Sequence, residues 1–258
     1  MRLIDTHCHL DAPEFDADRA DVVARAEAAG VQAQVVPAIA LSTFAKLRDV
    51  CAAHANLHPA YGLHPMYLAE HRPEHLDALR EWIDRDRPLA IGECGLDFFV
   101  EGLDAQTQRF YFVRQLELAR EFGLPLIVHA RRAVDEVIAT IRRVGGLRGV
   151  VHSWSGSEEQ ARQLWKLGFL LGIGGPVTHE RAQRLRRLVA SMPLECLLLE
   201  TDSPDQPLAD HRGERNEPAR LREVLDVIAA LREESAEDIA RATAANAERL
   251  FGLASIAA

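Results

Sequence analysis

Two histidines close to the start of the chain have the spacing of paired metal ligands. His7 and His9 lie in the segment DTHCH at residues 5–9, directly after a short apolar run that predicts a buried strand. Successive side chains of an extended chain point to opposite faces, so His7 and His9 share one face at the strand end. Two imidazoles beside the acidic Asp5 form a group that suits a divalent metal. Taken alone, the pair is equally typical of two surface histidines.

Further candidate ligands recur along the chain, each after a short apolar run. They are His64 in GLHP, Glu93 in IGE, His129 in LIVH, His152 in GVVH and Asp202 in LLETD. Barrel active sites are built from the ends of several strands, so these positions would meet at one face. More imidazoles and carboxylates converge there than one tetrahedral zinc needs, and they suit two divalent metals that share a carboxylate. The predicted metal ligands are His7, His9, Glu93, His129, His152 and Asp202.

The elements that must position these residues alternate along the whole chain. The runs typical of strands are 3–6, 31–37, 57–62, 89–92, 125–129, 150–152, 169–173 and 197–200. The runs typical of helices are 18–29, 42–54, 74–84, 104–122, 134–144, 157–167, 178–190, 218–231 and 236–251. Eight strand-and-helix units in 258 residues predict an α/β fold, a closed (β/α)8 barrel, in one domain over residues 1–258. An open doubly wound sheet would need a glycine-rich phosphate loop where this chain has its two histidines.

Composition and charge narrow the class of protein. Hydrophobic residues make up 48% of the chain, an ordinary value for a folded protein. No apolar run reaches the ~18–20 residues of a membrane span, and no signal segment is evident, so we expect a cytoplasmic protein without a membrane partner. The four cysteines are too widely spaced to indicate a disulfide framework. A net charge of −9 argues against general coating of nucleic acid, but it permits capture of a single phosphodiester at a metal site.

The motifs around the candidate ligands resemble those of the TatD family of metal-dependent hydrolases, which are amidohydrolase-like barrels. The resemblance extends from residue 4 to residue 251. It rests on DTHCHLD (5–11), GLHP (62–65), IGECGLD (91–97), LPLIVH (124–129), VHSWSGS (151–157), LETDSP (199–204) and RNEP (215–218). It implies a barrel that binds two divalent cations, which could be zinc, manganese or magnesium.

The resemblance also implies how the ligands are divided and what the site does. The first cation would be held by His7, His9, Glu93 and Asp202. The second would be held by Glu93, His129 and His152, so Glu93 is shared. Family members are deoxyribonucleases, often 3′ exonucleases, which predicts 3′–5′ phosphodiester hydrolysis with DNA ends as a transient substrate. The alternatives are an ester or amide hydrolase, such as a D-aminoacyl-tRNA deacylase, on the same site, and a non-catalytic metal-binding protein.

Roles follow for individual residues. Asp202 is expected to orient the attacking water and accept its proton, with Glu93 as the second catalytic carboxylate. Three roles are open for His64. It would contact the scissile phosphate, protonate the leaving oxygen, or hold the metal ligands in position without touching the substrate. Arg131 and Arg132 follow His129, and a guanidinium suits bidentate contact with a phosphate. The alternative for both is a solvated position at the start of a helix.

Two segments depart from the usual family pattern. Phe98 and Phe99 stand where many members have an aromatic pair that includes a tyrosine, so a hydroxyl is missing there. After Pro204 the chain reads DQPLAD over residues 205–210, where Tyr-Leu-Ala-Pro is common. Both segments lie beside the candidate ligands, so they indicate a branch of the family with a different substrate face and the same metal site.

Overall fold

Eight parallel strands form one sheet in which neighbours in space are neighbours in sequence, and the sheet curls into a nearly closed barrel. The computed structural model describes residues 1–253. Its strands are β1 Leu3–Asp5, β2 Val31–Pro37, β3 Leu57–Tyr61, β4 Ala90–Asp97, β5 Leu126–Arg131, β6 Gly149–Val151, β7 Phe169–Ile173 and β8 Leu197–Leu199. The predicted (β/α)8 barrel is therefore confirmed. The predicted single domain over residues 1–258 stays a prediction, and residues 254–258 lie outside the described part.

Helices cover the outside of the barrel and lie between successive strands. They are α1 Arg19–Ala28, α2 Phe44–Ala52, α3 His75–Asp86, α4 Ala105–Phe122, α5 Val134–Val144, α6 Glu158–Lys166, α7 Gln183–Ser191, α8 Leu221–Arg232 and α9 Ala236–Phe251. Within residues 1–253, none of them combines the length and the apolar character that a membrane span requires.

Apolar side chains fill the barrel and close its amino-terminal end. The inward positions are mostly small or branched: Ile4, Ala33, Val35, Ala60, Ala90, Ile127, Val150, Leu170 and Leu198. Four residues of α9 pack against this group from below: Ala244, Ala247, Leu250 and Phe251. The carboxyl ends of the strands carry polar side chains, so the open end of the barrel is the end where the candidate ligands lie.

Strand β4 is longer than the sequence predicted. It continues to Asp97, so Glu93 lies inside the strand and does not end it. This extension of β4 pairs with β5, and Gly95 of β4 lies opposite His129 of β5. Gly95 has a φ of +149°, and a Cβ at this position would come within 2.0 Å of the His129 carbonyl oxygen. The glycine thus allows the two strands to approach closely and raises Glu93 and His129 above the apolar core.

Two helices begin later than predicted because short 3-10 turns precede them. The helix expected from residue 178 begins at Gln183, because Thr178 is the last residue of a 3-10 turn. The Thr178 hydroxyl donates to the Gly175 carbonyl over 2.7 Å. The helix expected from residue 218 begins at Leu221, after a 3-10 turn that starts with Pro218. Pro176 of the first turn borders the cavity at the open end of the barrel.

The seam between the first and last strands is closed by hydrogen bonds above the sheet. The amide of Thr6 donates to the Leu199 carbonyl over 3.0 Å, and the amide of Asp202 donates to the His7 carbonyl over 2.9 Å. The amide of His9 donates in turn to the Ser203 carbonyl over 2.7 Å. Candidate ligands from both ends of the chain are therefore held together by backbone contacts.

A buried carboxylate supports the same seam. Asp5 accepts hydrogen bonds on Oδ1 from the amides of Thr201 (3.0 Å) and His7 (3.2 Å), and on Oδ2 from the Thr201 hydroxyl (2.6 Å). Asp5 and Thr201 are both fully buried. A buried carboxylate that loses a hydrogen-bond donor still pays the free-energy cost of desolvation. This contact should therefore contribute strongly to the free energy of unfolding.

We expect Thr201→Val to lower the free energy of unfolding by about 1–3 kcal/mol, because it leaves Asp5 Oδ2 without its hydroxyl donor. The measurement is urea denaturation followed by circular dichroism. Thr243→Val is the matched control, because the Thr243 hydroxyl donates to the Ile239 carbonyl inside α9 and serves no buried charge. Equal losses in the two variants would contradict the importance of the Asp5 contact.

Candidate metal centre

The predicted ligands meet at the floor of a cavity at the carboxyl ends of the strands. The cavity has a volume of about 1150 Å³. Seven of the predicted site residues border it: His9, His64, Glu93, His129, Arg131, His152 and Asp202. His7 lies behind them and is fully buried. The structure therefore brings together side chains from β4 and β5 and from the segments that follow β1, β3, β6 and β8.

Glu93 is at the centre of this group, and its two oxygens face different partners. Oε2 lies 3.2 Å from His7 Nε2 and 3.6 Å from His9 Nε2. Oε1 faces three other imidazole nitrogens: His64 Nε2 at 2.8 Å, His129 Nδ1 at 3.1 Å and His152 Nε2 at 2.7 Å. A carboxylate placed between two such donor sets has the geometry required of a shared metal ligand.

The first donor set has the spacing of a tetrahedral site. His7 Nε2 lies 3.2 Å from His9 Nε2 and 3.3 Å from Asp202 Oδ1, and His9 Nε2 lies 3.7 Å from the same Asp202 oxygen. Ligands at about 2.0–2.1 Å from zinc stand about 3.3 Å from one another in a tetrahedron. Together with Glu93 Oε2, these atoms fit one divalent cation.

The second donor set is more open. His129 Nδ1 and His152 Nε2 lie 3.2 Å apart, and both approach Glu93 Oε1. Three ligands of this kind leave a coordination position toward the cavity, which is the arrangement of a catalytic metal site. The donor atoms of His7, Glu93 and His152 also lie close enough together to form one group, as do those of His64, Glu93 and His129. The predicted division of the ligands therefore stays a prediction.

Hydrogen bonds set the tautomers of two of these histidines. His9 Nδ1 lies 3.2 Å from the Pro37 carbonyl oxygen, so Nδ1 carries the proton and Nε2 is free to bind a cation. His129 Nε2 lies 2.9 Å from Asp97 Oδ2, so Nε2 donates there and Nδ1 is free. A histidine that ligates a metal commonly donates its other ring N–H to a carboxylate or a carbonyl. The surrounding groups therefore prepare both rings for metal binding.

His64 differs from the other histidines. Its Nδ1 accepts a hydrogen bond from the Met66 amide over 3.1 Å, so the proton of the neutral ring is on Nε2 and is donated to Glu93 Oε1. Burial, partly opposed by Glu93, lowers the pKa of His64 to about 4. Of the roles considered for His64, the geometry favours support of Glu93 over protonation of a leaving group.

The two predicted substrate arginines occupy different positions. Arg131 borders the cavity, and its guanidinium lies over the ring of Phe99 with 3.7 Å to the centroid. Arg132 stacks on the same ring at 4.6 Å but is not part of the cavity wall. Phe99 is 43% exposed, so this departure from the family pattern forms a cation–aromatic group at the cavity mouth.

Comparisons with known proteins agree with this geometry. A family model described as TatD related DNase matches residues 4–252. The chain belongs to the TatD family. It is 40% identical over 256 residues to a relative from Escherichia coli K12 described as the uncharacterized metal-dependent hydrolase YjjV, and the match covers 98% of each chain. The chain is therefore a metal-dependent hydrolase by family, and its His, Glu and Asp clusters indicate divalent metal binding.

Other relatives span the family. A protein from Erwinia tasmaniensis named 3′-5′ ssDNA/RNA exonuclease TatD is 34% identical, and the match covers 97% of this chain and all of that one. The crystal structure of Escherichia coli YjjV superposes with a TM-score of 0.93 at 38% identity, covering 98% of this chain and 99% of that one. An organophosphorus hydrolase from Deinococcus radiodurans, at 18% identity and a TM-score of 0.69, shares the barrel fold.

Asp97 is a site residue to which the sequence reasoning assigned no role. It is buried and accepts hydrogen bonds from the amides of Phe99 and Val100 as well as from His129. Burial opposes its ionisation, but these hydrogen bonds outweigh burial and lower the pKa of Asp97 to about 2. The available signal was its place at the end of the apolar run that contains Glu93.

We expect Asp97→Asn to weaken divalent metal binding by about 10- to 100-fold, because the partner that orients His129 loses its charge. The dissociation constant is measured by competition with a fluorescent chelator. Asp84→Asn, on the exposed end of α3, is the matched control and should leave the constant unchanged. Unchanged affinity in the Asp97 variant would contradict this role.

Metal binding should also depend on pH. Burial opposes protonation of His152, but Glu93, and after it Asp202 and Glu200, raise the pKa of this imidazole to about 10. At neutral pH a cation must therefore displace a proton from His152, and affinity should rise as pH increases from 6 to 8.

Calorimetric titration of zinc in two buffers with different ionisation enthalpies tests this point. We expect zinc binding to release protons, with His152 as one source. The exposed His211, paired with Glu223, supplies the control His211→Gln, which should release the same number. Metal binding without proton release would show that His152 is not displaced.

Proposed function

We propose that this protein hydrolyses phosphodiester bonds at DNA 3′ ends, as a 3′–5′ exonuclease-type deoxyribonuclease, with two divalent cations as cofactors. The observation that carries the proposal is Glu93, whose two oxygens each face a separate donor set at the floor of the cavity. A pair of cations that share one carboxylate is typical of enzymes that attack phosphate esters. The similarity to the Erwinia tasmaniensis 3′-5′ ssDNA/RNA exonuclease supports DNA ends as the substrate.

The donor sets define what each cation would contribute. His7, His9, Glu93 and Asp202 would hold one, and Glu93, His129 and His152 would hold the other. When bound, divalent cations lower the pKa of water and neutralise negative charge on a phosphoryl group. Zinc, manganese and magnesium are all candidates, since imidazole and carboxylate ligands accommodate each of them.

Asp202 is the residue that we assign to proton transfer. One of its oxygens, Oδ1, faces His7 and His9, and the side chain borders the cavity. Burial raises the pKa of Asp202 above its usual range, although His152 and His9 oppose the shift. A carboxylate with a raised pKa is a better base at neutral pH than an exposed one. Asp202 can therefore orient the attacking water and take its proton.

Glu93 and His64 act together in this proposal. Glu93 holds the two donor sets at a constant separation, and the Nε2–H of His64 donates to its Oε1. This hydrogen bond stabilises the charged carboxylate in a buried position where it would otherwise be costly. His64 borders the cavity too, but Glu93 and the Met66 amide engage both of its ring nitrogens, so we assign it the support of Glu93.

Arg131 supplies the positive charge for a phosphate outside the reacting centre. Its guanidinium lies over the Phe99 ring at 3.7 Å from the centroid, and the residue borders the cavity. This contact restricts the side chain, so less conformational freedom is lost when it binds a phosphate.

The test is a cleavage assay on single-stranded DNA labelled at its 5′ end, with the protein loaded separately with magnesium, manganese and zinc. We expect stepwise shortening from the 3′ end. Glu93→Ala should reduce the rate by at least about 10²-fold, because loss of one electrostatic stabiliser already costs that much. Asp202→Asn should keep the fold and lose a similar factor.

Bound metal without shortening of DNA would contradict the nuclease proposal. The same preparations are therefore also given an aminoacyl ester of tRNA. Release of the amino acid in place of DNA shortening would indicate an acyl substrate on the same site. Full activity of Glu93→Ala on either substrate would contradict the shared-carboxylate site itself.

A further inference from the structure

Backbone conformations that side chains rarely adopt are concentrated at the cavity. In the described residues, three non-glycine residues with positive φ lie side by side there: Ser153 (+46°), Asp202 (+56°) and Gln206 (+50°). Of the three others, Arg87 and Glu233 end helices, where this conformation is common, and Arg132 follows β5 outside the cavity wall. Unfavourable conformations persist only where the surrounding structure enforces them, and they cluster at functional sites.

The side chains of these three residues are joined by hydrogen bonds. The Gln206 amide nitrogen donates to Asp202 Oδ2 and lies 2.8 Å from Ser153 Oγ. The Ser153 hydroxyl donates to Gln206 Oε1 over 3.0 Å. An ionised carboxylate only accepts hydrogen bonds, so the nitrogen of the Gln206 amide must face Asp202. This contact occupies Oδ2 and leaves Oδ1 facing His7 and His9.

The backbone of Gln206 is fixed without help from its side chain. The fully buried Asn216 donates through Nδ2 to the carbonyl oxygens of Thr201 (2.9 Å), Asp205 (2.9 Å) and Gln206 (3.3 Å). On the other side, a Cβ at Gly175 would come within 2.2 Å of the Gln206 carbonyl oxygen. The loop is therefore held by its main chain, and a change of the Gln206 side chain should not release it.

We propose that Gln206 is a positioning residue that determines which oxygen of Asp202 faces the first donor set, with Ser153 acting through it. The proposal rests on the role that the proposed function gives Asp202, and it deepens that function. Gln206 also borders the cavity, so its side chain lies between the cavity and a predicted metal ligand.

Consequences for metal binding follow from the geometry. Without the amide donor, the Asp202 carboxylate is free to rotate, and its Oδ1 is no longer held at 3.3 Å from His7 Nε2. The cation position formed by His7, His9 and Asp202 should weaken, whereas the position formed by His129 and His152 should not. A loss confined to one of two cations is a signature that general destabilisation of the barrel would not produce.

The main test compares Gln206→Met with the wild-type protein. Methionine has a similar length and no donor, so we expect the dissociation constant of one zinc equivalent to rise about tenfold, the loss expected for one hydrogen bond to a charged group. Calorimetric titration measures both equivalents. The urea midpoint should fall only as far as loss of one donor to a buried carboxylate requires, so restriction of the weaker binding to one equivalent is the deciding result. Gln106→Met, on the exposed face of α4, is the matched control and should change neither quantity.

Ser153 provides a second variant that keeps the proposal testable if Gln206→Met folds poorly. Ser153→Ala should weaken the same equivalent by a smaller factor. In the double variant, loss of the serine should add nothing to the effect of Gln206→Met, because Ser153 acts only through the amide. Unchanged zinc binding in folded Gln206→Met, equal weakening of both equivalents, or additive effects would overturn the proposal. Zinc binding is measured without substrate, so these outcomes do not depend on whether DNA is cleaved.

Discussion

A single buried carboxylate organises the open end of this barrel. Glu93 is 2% exposed, and nitrogen atoms of five histidines lie within 3.6 Å of its oxygens. A charge in such a position is tolerated only when it is paired or bound to a metal. Five adjacent imidazoles cannot all be in the charged imidazolium form, because like charges repel one another and burial disfavours each charge. The arrangement is therefore most favourable when divalent cations take the place of protons.

The rest of the fold keeps this group in place. The close approach of β4 and β5 at Gly95 lifts Glu93 and His129 toward the cavity, and the Asp5 contact joins β1 to the loop after β8. Helix α9 closes the amino-terminal end of the barrel with apolar side chains. The carboxyl-terminal end therefore carries the polar side chains of the site. The stability of the barrel comes from one end and its reactivity from the other, which is the usual division in this architecture.

The mouth of the cavity has a different character from its floor. Four cationic side chains border the cavity: Lys46, Arg131, Arg181 and Arg212. Five carboxylates border the same cavity: Asp11, Glu14, Glu93, Asp202 and Asp205. The wall therefore carries charges of both signs, and individual cationic side chains, not a net positive field, would attract an anionic substrate.

The sequence by itself determined the barrel and the residues of the donor group. Apolar runs that end in His, Glu or Asp are local patterns, and parallel strands bring their carboxyl ends to one edge, so His7, Glu93 and Asp202 could be placed together. Only the tertiary structure decided which atom of each side chain faces which partner. The pairing of His129 with Asp97, the proton on His64 Nε2 and the contact of Gln206 with Asp202 join residues through space. Such contacts depend on strand register, a long β4 and left-handed backbone positions, which arise from packing between distant segments and leave no periodic signal in the chain.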